Sequence, residues 1–151
     1  MMLDEKNCKS KINALAYQDW RPLLALIPEI ENTSKFGEWR GGGRNKEGAI
    51  MFPYSVSAPV VHKFLEIIYA IPIVINFDWG SWDEGREIAG NEGFDFDAVD
   101  CVTKCKLITA IARSDRFCEG ALVSAFESGL ILKILKSIEK EVISKGKADQ
   151  C

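Results

Sequence analysis

Histidine is nearly absent: the 151 residues contain one, His62. The chain therefore shows no Ser/His/Asp pattern for nucleophilic hydrolysis. His62 also has no ligand-like neighbour in sequence, and a tetrahedral zinc site needs four donors. Long apolar runs are missing too. None approaches the roughly 18 residues that argue for a membrane-spanning helix. The first nine residues lack the apolar region of an export signal. A cytoplasmic chain with no membrane partner is the expectation. The spacings of a phosphate loop or a dinucleotide fingerprint do not occur. Charge excess is small: the net charge of −3 gives no general pull toward nucleic acid, which is not an expected partner.

Five cysteines are present, at positions 8, 101, 105, 118 and 151. An odd number without an export signal argues for free thiols. Cys101 and Cys105 are four apart and would share a helix face, but buried cysteine as a small hydrophobe is the commoner case. No metal and no cofactor is expected.

The composition, 47% hydrophobic and 27% charged, is that of an ordinary globular chain. Its length predicts one domain over residues 1–151 that buries roughly two-thirds of its unfolded surface. Residues 1–8 and 146–151 read as frayed ends. Ile12, Leu15 and Ala16 are spaced for one helix face, and residues 20–28 form a second apolar block that weakens at Pro28. Residues 36–39 and 49–54 read as two short extended pieces, joined by a loop in which Gly41, Gly42 and Gly43 are flanked by Arg40, Arg44 and Lys46. Bare amides beside cations suit an anion, although a flexible hairpin loop explains the same residues. Ser57 and Pro59 mark a helix start, with Val60, Val61, Phe64, Leu65 and Ile68 on its apolar face. Residues 73–79 have strand-like composition.

Residues 78–100 carry eight acids against Arg86 alone, with Trp79 and Trp82 among them. Trp79, Trp82, Asp83 and Glu84 form a candidate interaction surface, because exposed aromatics often anchor interfaces. The alternative is a solvated acidic loop under two core tryptophans. At 100° per residue, residues 98–112 place Ala98, Cys101, Val102, Cys105, Ile108, Thr109 and Ala112 on one buried stripe. Continuing that helix puts Arg113, Arg116 and Glu119 on the same stripe, where charges must be paired or line a cavity. Arg116 and Glu119 could pair at three residues' separation. A break at Ser114 would instead rotate the later charges elsewhere. A structural ion network is favoured over a ligand site at these three residues. Gly129 punctuates the chain, and Leu130, Ile131, Ile134, Leu135, Ile138 and Val142 form the core face of a last helix. The predicted core helices cover 58–70, 98–113, 115–128 and 130–144. The fold class is α+β, predominantly helical, with five or six helices and a small β-hairpin.

The run Thr109 to Arg113, the string Asp115, Arg116, Phe117, Cys118, Glu119, Gly120, and the run Gly129 to Leu135 together resemble the C-terminal signature of a small bacterial and phage-encoded domain family of unknown function. Residues 51–54 and the Asp78, Trp79 and Trp82 segment resemble the middle of that family. The glycine loop and the acidic 83–100 region depart from it. The resemblance implies a single compact domain and brings no known activity with it. The expected function is a non-catalytic binding module, which the resemblance makes phage- or mobile-element-borne and directed at a host protein. The alternative is an anion- or nucleotide-binding protein or enzyme that uses Arg113, Arg116 and Glu119, with Cys118 as a nucleophile. Expected partners are thus a protein or a small anionic ligand, with self-association open.

Overall fold

The computed structural model describes residues 2–149. The chain is a helical α+β domain with eight α-helical segments among the described residues, six of them set around two long central ones. In order they are β1 (Leu3–Asp4), α1 (Cys8–Asn13), α2 (Tyr17–Leu24), α3 (Leu26–Glu31), β2 (Gly37–Arg40), β3 (Tyr54–Ser57), α4 (Pro59–Ala70), β4 (Ile75–Asn76), α5 (Asp83–Ala89), α6 (Cys101–Ser114), α7 (Ala121–Glu127) and α8 (Leu130–Asp149). Two 3-10 turns, Trp79–Ser81 and Phe96–Ala98, flank α5. No described helix is long and apolar enough to cross a membrane.

α6 and α8 form the frame. On α8, Ile131, Ile134, Leu135 and Ile138 are wholly buried, at the three- and four-residue spacing of one helix face. The helix packs against α2, α3, α6 and α7. Asp100 caps α6: its carboxylate accepts hydrogen bonds from the Thr103 amide at 2.9 Å and the Thr103 hydroxyl at 2.6 Å. The helix therefore begins at Cys101, not 98, and Ala98 sits in the turn before it. Cys101, Cys105, Ile108, Thr109 and Ala112 are buried as the wheel requires, and Lys104 and Leu107 join them.

Several local expectations shift. There are more helices than five or six because the second apolar block divides at Ala25 into α2 and α3, and because acidic residues 83–89 form α5. Pro28 lies inside α3 without ending it. It is the third residue of that helix, where the amide it lacks would have had no intrahelical partner. Of the expected frayed residues 1–8, residue 1 lies outside the described residues, but Leu3 is buried, and β1 pairs in parallel with β4 through Leu3 opposite Ile75 and Asp4 opposite Asn76. Of residues 73–79, only Ile75 and Asn76 are strand. At the other end, α8 is helical to Asp149, while residues 150 and 151 lie outside the described residues.

The hairpin pairs Gly37 with Ser57, Glu38 with Val56, Trp39 with Ser55 and Arg40 with Tyr54. Its second strand thus begins at Tyr54, and residues 49–53 belong to the loop. Ser57 is accordingly a strand residue, and Ala58 takes the cap position of α4 with Pro59 following. The hairpin's base is fixed to the bundle by aromatic contact. The Phe126 ring on α7 lies 5.3 Å from Phe36 and 5.2 Å, edge-on, from Phe64 on α4.

Candidate functional site

The chain between α6 and α7 is held by its own side chains. Asp115 accepts a hydrogen bond from the Leu122 amide at 3.1 Å. Glu119 accepts one from the Ser55 amide of β3 at 2.8 Å, across 64 residues. Gly120 has φ +92°, and a Cβ placed there would stand 3.2 Å from the Trp39 ring. These contacts fasten the 115–120 turn to the hairpin. What it presents outward is Arg116, Phe117 and Cys118, all exposed. Phe117 is 82% exposed, and its ring centre lies 5.9 Å from that of Trp79.

Arg113, Arg116 and Glu119 do not share a helix, because α6 ends at Ser114. The Arg116–Glu119 pair does not form; Glu119 is turned to the hairpin instead. Arg113 is half-buried and directs Nη1 to the Met2 sulfur at 3.3 Å. Among the described residues, no carboxylate pairs with either arginine. The stripe of charge read from the wheel is therefore opened out at the chain reversal.

Two of the three cations flanking the glycines are engaged locally. Arg40 pairs with Glu38 beside it, and Arg44 Nη1 donates to the Gly48 carbonyl at 2.8 Å. Lys46 is exposed. The same arm carries apolar side chains into solvent: every residue from 39 to 54 is exposed, with Ile50 at 66% and Phe52 at 83%. Sequence reasoning took residues 49–54 as a short extended piece and did not anticipate this exposure.

On the other flank, Trp79 and Trp82 are half-buried. Trp82 meets Phe77 edge-on at 5.5 Å and lies so closely over Gly85 that no larger residue fits there. Trp79, Trp82, Ala89, Leu107, Ala110 and Ile111 line an open cleft of about 200 Å³. Asp83 pairs with Arg86 at 3.5 Å, and Glu84 is exposed. The three groups singled out in sequence are thus brought toward one end of the molecule. Trp39 covers Gly120, Phe117 follows, and Trp79 leads into the cleft.

The thiols divide by burial. Cys8, Cys101 and Cys105 are buried and free, and Cys118 is exposed and free. Burial, then contact with the Cys101 thiol, pushes the Cys105 pKa well above its ordinary value, so Cys105 stays a protonated thiol. Among the described residues, no three metal-ligating side chains are placed to hold an ion.

Lys104 escaped sequence reasoning. Its residue is 1% exposed, and Nζ meets Glu141 Oε2 of α8 at 2.9 Å. The available signal was its position: Lys104 is three residues after Cys101 and four before Ile108, at the edge of the buried stripe.

No curated protein and no solved structure matches the chain. A family model covers residues 15–144, a span that includes α2 through most of α8 and every residue of the exposed aromatic end. The chain belongs to the Family of unknown function (DUF6508).

Proposed function

We propose that the chain is a non-catalytic interaction module that docks a protein through the end bearing Trp39, Phe52, Phe117 and Trp79. The observation that carries this reading is Phe117. A phenylalanine left 82% in water forgoes most of the roughly 2 kcal/mol that burial would give. Here it is presented on a turn whose neighbours Asp115, Glu119 and Gly120 are all engaged. Large rigid aromatics held in place are the anchors that interfaces use, since little ordering entropy is lost when they are covered. A phage- or mobile-element-borne origin belongs to the same proposal, with the docked protein either a host protein or a second copy of this chain.

The test is a photo-reactive phenylalanine analogue at position 117, irradiated in cells. The expected result is a discrete protein adduct, absent when the analogue replaces exposed Gln18 on α2. No adduct, or the same adducts from both positions, refutes the reading. A second reading, an anion or nucleotide held by Arg113 and Arg116, is favoured by their lack of a carboxylate partner among the described residues. It expects inorganic pyrophosphate to raise the melting temperature of the wild type but not of Arg116→Ala; equal shifts refute it.

A further inference from the structure

We propose that the arm of residues 41–53 enters the Trp79–Ile111 cleft of a second copy of this chain, so that two copies close into a twofold dimer. This rests on the reading of this end of the molecule as a protein-docking surface, and it specifies the occupant.

Each copy carries both halves of the junction. The arm ends in Ile50, Met51 and Phe52, which are 66, 41 and 83% exposed. The cleft is walled by two indoles and by Ala89, Leu107, Ala110 and Ile111, and holds about 200 Å³. An apolar cavity of about 150 Å³ already accepts a benzene ring, so the cleft admits the Phe52 side chain.

The charges match across the same junction. The arm bears Arg44 and Lys46 against Glu47, a positive excess. The rim of the cleft bears Asp78, Asp83, Glu84 and Glu87 against Arg86, a negative one, and all five are exposed. Opposite charges on the two halves of a self-complementary surface draw copies together and set their register.

Area also suits a second copy. Taking roughly 200 Å² for each large side chain when fully exposed, the observed fractions at Trp39, Ile50, Met51, Phe52 and Phe117 leave about 650 Å² per copy. A standard interface covers about 800 Å² per partner, and the cleft walls contribute the remainder. Symmetry places the shared elements. In a twofold interface, arm meets cleft and cleft meets arm. Phe117, which touches Trp79 at the mouth of the cleft, then lies near the axis against its own copy.

The decisive experiment is sedimentation velocity from about 1 to 100 µM, with circular dichroism melts as a control for folding. Wild type should sediment as a dimer, twice 16.9 kDa. Phe52→Asp should raise the dissociation constant at least tenfold with an unchanged melt, since Phe52 makes little contact within its own copy. Lys46→Glu should weaken the dimer likewise, and Lys46→Glu with Glu84→Lys should restore it. A wild type that is monomeric at 100 µM overturns the inference, as does a dimer that both single variants leave intact. If the wild type is monomeric and the position-117 probe still captures a different protein, the docking reading stands while the second-copy inference falls. If neither association is found, both fall.

Discussion

Removing Glu141 should harm the protein more than removing Lys104, although the two form one ion pair. The Lys104 side chain is 2% exposed and that of Glu141 40%. Glu141→Ala leaves an ammonium in the interior without its carboxylate, and an unpaired buried charge costs about 3–5 kcal/mol. We expect about 3 kcal/mol, because some relaxation of Lys104 toward solvent is open at the edge of α8. Lys104→Met keeps the volume, removes the buried charge and leaves Glu141 two-fifths in water, so its cost should be about 1 kcal/mol. The double variant should resemble Lys104→Met rather than the sum. In a domain of this length, about 1 kcal/mol corresponds to roughly 2–4 °C in melting temperature. The expected losses are therefore about 6–12 °C for Glu141→Ala and about 2–4 °C for Lys104→Met. Urea unfolding of the four proteins gives the coupling directly. Equal losses from the two single changes, or additivity in the double, would refute the assignment of the cost to the buried ammonium.

Other residues give equally definite outcomes. Thr109 Oγ accepts from the buried Ile75 amide at 3.1 Å and donates to the Cys105 carbonyl at 2.8 Å; Thr109→Val should cost about 1–3 kcal/mol in urea unfolding, because it orphans that amide. Gly120→Ala forces a side chain into a φ of +92° and against Trp39, and should lower stability by about 1–2 kcal/mol. A melt unchanged by the substitution would contradict the geometry. For Asp100, burial pushes the pKa up, but hydrogen bonds from Thr103 and the charges of Lys9 and Lys104 outweigh it, and the net shift is downward. A depressed folded pKa means that the contribution is present above the unfolded value, about 3.9, and is lost as pH falls through the folded one. The gap of about 1 kcal/mol between wild type and Asp100→Ala at pH 7 should therefore close below about pH 4 in denaturant titrations.

What could be read from the sequence was what repeats. α4, α6 and α8 show apolar residues at helical spacing over three turns or more, and that pattern alone positions them. The second strand was read five residues early because residues 49–53 are as apolar as a strand. They lie instead in the exposed arm, and nothing in composition distinguishes a buried apolar run from one held out in solvent. β1 is two residues long, and its partner lies far along the chain, so no local pattern announces it. At the candidate site, the spacing put three charged residues on one helical stripe that the structure does not form. Arg113, Arg116 and Glu119 share a stripe only if the helix continues, and Asp115 and Gly120 are the local elements that reverse it. Lys104 carries no apolar signal that would mark its buried position.

The pairing of β1 with β4 has a consequence for synthesis. Leu3 leaves the ribosome 72 positions ahead of its partner Ile75. At about 5–20 residues per second, the first strand waits roughly 4–14 s for its partner to be made. During that interval the buried faces of α1 and α2, with Ile12, Trp20 and Leu23, have neither α6 nor α8 to close on. The α1–α2 segment is thus synthesised well before the helices that enclose its apolar residues.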